Sequence, residues 1–417
     1  MSGEKTPYRR RTTCRICGRG GLHAFLSLGP MPLANAFPRT EAEFATEDSY
    51  PLDVAFCETC SLVQTPDVID PEVLFRDYIY VSGTSASLRR HWEEYAAHVI
   101  GLLGLGAADL VIEVASNDGS LLRCFQARGV RALGIEPATN IAAIARAAGV
   151  DTVNEFFDLE VAGRVRRERG PAAAVVANNV FAHVDHTLDF LAGCKRLLAD
   201  GGLVVIEAPY LGDLLERMEY DTIYHEHLCY FSVTALLRAC EAAGLSLVRI
   251  DHQPVHGGSL RIHAGHPGRW GGHSPDVLAM AERERDDGLS SLPRYQRFAA
   301  GVEANRAALT ALLDDLVRSG KTVAAYGAPA KGNTLLNYCG IGPDRVRFTV
   351  DMNPMKVGRF TPGSHLPVHE VKHLLAVQPD YVLILAWNLA PEIMAAQAEY
   401  RSRGGRFIIP VPHPQVV

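Results

Sequence analysis

Between residues 110 and 209, four short apolar runs, LVIEVA, VRALGIEP, AAAVVANNV and GLVVIEAP, recur with helix-patterned stretches between them. Runs rich in Val, Ile, Leu and Ala without apolar–polar alternation belong to strands covered on both faces, which predicts a parallel sheet. Residues 121–128, 141–148 and 188–198 have the periodicity of the crossover helices such a sheet needs. The expected unit is a doubly wound α/β domain, with its ligand at the carboxyl ends of the strands.

The pattern returns near the C-terminus. Residues 275–319 are rich in Ala, Leu, Glu and Arg and suit long helices. KTVAAYGAPAKGNTLL then reads as strand, glycine-bearing turn and helix, and RVRFTVDMNP and DYVLILAWN read as further strands. A chain of 417 residues needs more than one core. The expected fold is α/β with an N-terminal zinc-binding domain (1–75), a central Rossmann-like domain (76–265) and a second Rossmann-like α/β domain (266–417).

The zinc expectation rests on CRIC and CETC. Cys14 and Cys17, then Cys57 and Cys60, form two knuckles able to point four thiolates at one tetrahedral centre. Four thiolates close the coordination shell, so the metal is expected to be structural. Cys124, Cys194, Cys229, Cys240 and Cys339 stand singly and read as small buried hydrophobes. A net charge of −6 argues against a nucleic-acid surface, and the basic run Arg9 to Arg11 reads as a solvated tail. No segment reaches the roughly 18 apolar residues of a membrane span, and the N-terminus lacks a secretory core, so a cytoplasmic location is expected.

In VIEVASNDGSLL the strand carrying Glu113 runs into a turn of Ala115, Asn117, Asp118 and Gly119 that opens a helix. Small residues permit close backbone approach, while Glu113 and Asp118 oppose a phosphate. That suits S-adenosylmethionine, which carries an ammonium and a sulfonium and no phosphate. Glu136 closes the next strand, where a carboxylate can accept from both ribose hydroxyls, and Asn178 and Asn179 end VVANN at the same rim. A dinucleotide would call for G-x-G-x-x-G, which is absent; only the last glycine of a usual methyltransferase turn remains.

The later turn places Gly327, Ala328, Ala330, Lys331 and Gly332 at a helix start, with Lys356 and Arg359 downstream. It fits either a phosphate cradle or a tight turn with a solvated lysine. DTIYHEHLCYF sets Tyr224, His225, Glu226 and His227 in succession. Its histidines are two apart, not the four of a helical zinc motif, so an extended segment with Tyr224 and Glu226 on one side is expected.

Together CRIC and CETC, VASNDGSLL, ANNVFAHV, YDTIYHEHLCYFS, VHGG and YGAPAKGN resemble the zinc-containing sugar C-methyltransferases of deoxysugar antibiotic biosynthesis. The resemblance spans nearly the whole chain. It implies S-adenosylmethionine as cofactor, structural zinc, and a dTDP-4-keto-6-deoxysugar substrate held with help from the C-terminal domain. Methyl transfer to carbon 3 is expected, with carbon 5 as the close rival.

Carbon becomes a nucleophile only after loss of a proton beside the ketone, so a base and an enolate donor are needed. The resemblance assigns His227 as base, Tyr224 at the enolate oxygen and Glu226 in support. It adds His183 and Tyr78, with Tyr80 as rival to Tyr78, and leaves His225 without a direct role. Lys331, Gly332, Asn333 and His256 are the expected substrate contacts. A monomer is expected. A nicotinamide-dependent nucleotide-sugar oxidoreductase and a non-catalytic zinc-ribbon protein are the competing readings.

Overall fold

A computed structural model describes residues 7–78, 83 and 86–417, apart from the side chains of residues 86, 87 and 256. Two compact units interleave along the sequence. The first holds the chain up to His23 with residues 56–211 and 228–291; the second holds residues 24–55, 212–227 and 292–417.

The first unit is built on seven strands: β1 (Leu110–Val114), β2 (Arg131–Ile135), β3 (Thr152–Val153), β4 (Ala172–Asn178), β5 (Leu198–Pro209), β6 (Ser246–Gln253) and β7 (Ser259–Gly265). Their order is β6-β7-β5-β4-β1-β2-β3. Strands β1 to β5 are parallel, whereas β7 runs antiparallel to both β5 and β6. The four apolar runs are the four adjacent central strands, and every residue of β1 is buried.

Helices α1 (Ser120–Gln126), α2 (Thr139–Ala147) and α4 (Thr187–Leu197) lie close to the three expected spans, and α3 (Leu159–Arg169) is a further crossover outside them. The β6–β7 hairpin and the two-residue β3 were not anticipated. Helix α5 (Val233–Ala243) follows, and the first turn of α5 is closed by Glu284 of α6 (Pro275–Asp286), which accepts from the Val233 and Thr234 amides at 2.6 and 2.8 Å.

The basic run is not a solvated tail. Tyr8–Arg10 pairs antiparallel with Asp67–Ile69, Arg10 meets Asp67 at 2.8 Å, and Arg11 meets Asp185 at 3.1 Å. Asp67 is fully buried, so an unpaired carboxylate there would be costly. Arg10 offsets that cost, while Arg9 and Arg11 pair with Asp185.

The second unit carries β8 (Val323–Tyr326), β9 (Thr349–Asp351), β10 (Val368–Glu370), β11 (Tyr381–Ile384), β12 (Arg406–Ile409) and β13 (Gln415–Val416), ordered β10-β9-β8-β11-β12-β13. All neighbours are parallel except the last pair. Strand order reverses between β8 and β11, the position where doubly wound sheets open a crevice. The helical region expected over 275–319 breaks into α6 and α7 (Leu292–Arg318), and α8 (Ala330–Cys339) follows β8.

Candidate active site

In the first unit the four N-terminal cysteines converge. Cys14 and Cys60 sulfurs are 3.4 Å apart, Cys17 and Cys57 3.6 Å, and all four lie within 4.8 Å of one another. Tetrahedral zinc–thiolate bonds of about 2.3 Å require sulfur separations of about 3.8 Å, so the set fits zinc. Both knuckles close alike: Gly18 donates its amide to the Cys14 carbonyl and Ser61 to that of Cys57, with φ of 69° and 60°. The Cys60 thiol donates to Cys14 and holds the Cys14 thiol below its usual range, favouring the thiolate that a metal needs. Of the five single cysteines, four are buried as expected and Cys124 is half-buried.

The carboxyl edge of β1, β2 and β4 collects the expected cofactor residues. Ala115 and Asn117 have φ of 55° and 50°, and Asn179, after β4, has 53°. Non-glycine residues seldom occupy this region, and such strain concentrates at functional turns. Gly119 has φ 74°, and a Cβ there would lie 2.7 Å from Val150 Cγ2. Only glycine fits that position.

Glu136 takes the Asn117 amide on Oε2 and the Ala138 amide on Oε1, both at 2.8 Å. Each oxygen retains a lone pair for a further donor. Asp118 accepts from the Ser120 and Gly83 amides at 3.1 and 3.2 Å, so its carboxylate shapes the turn. Glu113 Oε1 accepts from Asn178 Nδ2 at 3.3 Å, while Glu113 Oε2 and Asn178 Oδ1 are buried without a partner among the described residues. Burial holds the Glu113 carboxyl well above the usual range, with the Asn178 hydrogen bond opposing. Two orphaned acceptors at a strand edge suit a ligand that brings N–H or O–H donors.

His183 ends a short 3₁₀ turn after β4 and stacks on Phe75 at 5.6 Å, and Phe75 meets Tyr78 edge-on at 5.7 Å. Asn140 of α2 clasps the Tyr78 backbone, donating to its carbonyl at 2.7 Å and accepting its amide at 3.2 Å. His183 and Tyr78 therefore belong to one aromatic group. Tyr80 lies outside the described residues, as does the His256 side chain.

In the second unit Tyr224 to His227 form a turn, not the extended segment expected. The His227 amide donates to the Tyr224 carbonyl at 2.8 Å, which brings the two rings to a centroid separation of 4.0 Å. Tyr224 is thereby partnered with His227 rather than with Glu226. His227 Nδ1 lies 2.7 Å from the Thr222 carbonyl. A carbonyl only accepts, so Nδ1 carries a proton.

Glu226 is buried and accepts from Asn35 Nδ2 at 2.6 Å. His225 is buried too and donates from Nε2 toward the Tyr50 and Pro51 carbonyls at 3.2 and 3.1 Å, which fastens the turn. Asn35, Thr222 and Tyr50 carry no local sequence signal; they are found only through the fold.

The turn after β8 is not an open phosphate cradle. The Ala328 amide is taken by Asp351 Oδ2 at 2.6 Å, and Lys356 Nζ donates to the Ala328 carbonyl at 2.8 Å. Gly332 is a packing glycine, since a Cβ would lie 2.7 Å from that of Leu385. Asn333 is fully buried and donates to the Ala34 carbonyl at 2.7 Å. Lys331 Nζ donates to Asn388 Oδ1 and sits 4.2 Å from the Trp387 ring centroid. The positions expected to meet substrate are largely consumed by internal contacts.

Family models cover the chain in three parts: a zinc binding domain over residues 14–75, a methyltransferase domain over 88–250 and a C-methyltransferase C-terminal domain over 254–412. The C-methyltransferase NovU of Streptomyces niveus is 38% identical over 404 residues, covering 97% of this chain and 96% of its own. The chain belongs to the C-methyltransferase family. Among solved structures, magnesium protoporphyrin IX methyltransferase of Synechocystis PCC 6803 matches 43% of the chain and 79% of its own, at 12% identity and TM-score 0.32. The CcbJ methyltransferase of Streptomyces caelestis matches 42% and 90%, at 14% identity and TM-score 0.32.

This C-methyltransferase uses S-adenosylmethionine and binds zinc through its four-cysteine cluster. Membership displaces the oxidoreductase and non-catalytic readings. Among the described residues no helix is long and apolar enough to cross a membrane.

Proposed function

We propose that this C-methyltransferase acts on a dTDP-4-keto-6-deoxysugar, removing the proton at carbon 3 and placing the methyl group there. The observation that carries the reading is the tautomer of His227. With Nδ1–H bound to the Thr222 carbonyl, Nε2 is a neutral imidazole nitrogen able to take a proton at physiological pH. The Tyr224 phenol, on the ring packed beside it at 4.0 Å, donates to the oxygen that becomes negative as the enolate forms. Glu226, anchored by Asn35, holds the turn in shape.

The enolate carbon then attacks the sulfonium methyl; the C–S bond breaks, its electron pair stays on sulfur, and S-adenosylhomocysteine leaves. His183 and Tyr78, in the first unit, are also proposed as active-site residues. Glu113, Ala115, Asn117, Asp118, Gly119, Glu136, Asn178 and Asn179 form the cofactor edge, with Glu136 facing the ribose and the orphaned acceptors of Glu113 and Asn178 taking cofactor donors.

Incubation of the sugar nucleotide with ¹³C-methyl-labelled cofactor, followed by NMR of the product, tests the reading. A labelled methyl on carbon 3 is expected, and with S-adenosylmethionine left out, deuterium from D₂O should enter that carbon of the unmethylated sugar. Label on carbon 5 would move the regiochemistry while keeping the enolate chemistry. Label on oxygen or nitrogen would overturn the proposal.

A further inference from the structure

The turn preceding Tyr224 carries a buried polar group that the chemistry above leaves unused. Asp221 is completely buried, yet its Oδ2 accepts from Trp387 Nε1 at 2.6 Å and its Oδ1 has no partner among the described residues. Glu219, 4% exposed, likewise keeps an unpartnered Oε1. Burying two carboxylates together is costly, and the group shows that strain. Burial, with repulsion from Asp221, pushes Glu219 up to about 8, and burial pushes Asp221 up to about 6 against the pull of Lys331.

The surroundings of Asp221 converge on its backbone. Thr222 donates its amide and its hydroxyl to the Glu219 carbonyl at 3.1 and 2.7 Å, closing the 3₁₀ turn Tyr220–Thr222. Within the same turn, the Tyr220 phenol donates to Asn305 Oδ1 at 2.9 Å, and Asn305 is fixed by the Pro410 and Pro412 carbonyls at 2.9 and 2.8 Å. Asp221, next to Thr222, is tied to Trp387. Trp387 lies just beyond β11, and Lys331 at the start of α8, which follows β8: the two sides of the reversal point in the second sheet. The ammonium over the indole face polarises the ring and strengthens its N–H as a donor.

Thr222 supplies the carbonyl that selects the His227 tautomer. We propose that Asp221, held by Trp387, is a positioning residue that aims the Thr222 carbonyl at His227 Nδ1. The network reaches His227 through the Thr222 carbonyl at Nδ1. This inference deepens the base assignment and rests on it for its kinetic consequence, but its spectroscopic consequence is independent.

In the zinc-loaded enzyme with ¹⁵N-labelled histidine, His227, assigned by its loss in His227→Ala, should give a protonated Nδ1 and an unprotonated Nε2. Trp387→Phe and Asp221→Ala should each convert that signal to a tautomer mixture. Both should lower kcat about tenfold to hundredfold with KM for S-adenosylmethionine unchanged. Asp221→Asn retains an acceptor for the indole N–H and should keep most of the wild-type signal and rate. The double variant should lose no more than either single one, since both break one link. An unchanged His227 signal in folded Trp387→Phe, judged by circular dichroism, would overturn the proposal. Full turnover in His227→Ala would instead refute the base assignment and leave the tautomer test standing.

Discussion

At the scale of single residues, the proposed chemistry turns on which nitrogen of His227 holds the proton. Nδ1 faces a carbonyl at 2.7 Å, so replacement by Ala removes the base and replacement by Asn keeps a polar group without basicity. Either should cut turnover by roughly 10²- to 10⁴-fold and abolish deuterium entry into the sugar, while calorimetry shows cofactor affinity intact. Tyr224→Phe preserves the ring contact with His227 and deletes only the donor, so the expected loss in kcat is about 10²-fold, the size of one oxyanion donor. Glu219 offers a test through stability. Its carboxyl titrates near 8 when folded and near 4.5 unfolded, so between those values the folded state binds more protons. Stability contributed by this group is therefore present below pH 4.5 and lost as pH rises through 8. Glu219→Gln should remove that slope and raise stability at pH 8 by on the order of 2 kcal/mol, read from urea melts at pH 5 and 8.

At the scale of elements, the β1–α1 turn is the most demanding piece of backbone, with Ala115, Asn117 and Gly119 all at positive φ. Gly119→Ala combines an unfavourable φ with a 2.7 Å approach to Val150, so a loss of about 1–3 kcal/mol and a weaker grip on S-adenosylmethionine are expected in thermal melts and calorimetry. The element scale also shows what a sequence can convey. Buried parallel strands announce themselves because both faces are apolar, and all four runs proved central. The β6–β7 hairpin carries Arg249, Asp251, Arg261 and His263 and escapes that criterion, as does the two-residue β3. The zinc knuckles are legible because the ligand spacing is local. The turn of Tyr224 to His227 departs from the expected extended segment because its shape is imposed by Asn35, Tyr50, Asn305 and Trp387, from 85 to 191 positions away in the chain. Contacts of that range leave no periodic trace.

At the scale of the whole molecule, the chain leaves the first unit after His23, returns at Phe56, leaves again after Leu211 and returns at Leu228. The second excursion carries the turn of Tyr224 to His227, the proposed site of proton removal. The first is bracketed by the two zinc knuckles, Cys14 with Cys17 before it and Cys57 with Cys60 at its return. Zinc therefore acts as a clasp on a long excursion, beyond any local role in folding two knuckles. Cys17 and Cys57 are 40 positions apart, and closing a loop of that length by a cross-link is worth roughly 4 kcal/mol on a chain-entropy scale. Stripping zinc with a chelator, or replacing Cys17 by Ser, should lower the melting temperature by several degrees. It should also open the first 60 residues to protease, and one zinc per chain should restore both. Turnover should fall in step with the folded fraction, because four thiolates leave no coordination position for substrate. Loss of turnover at unchanged melting temperature and unchanged ligand affinity would instead place the metal in the chemistry.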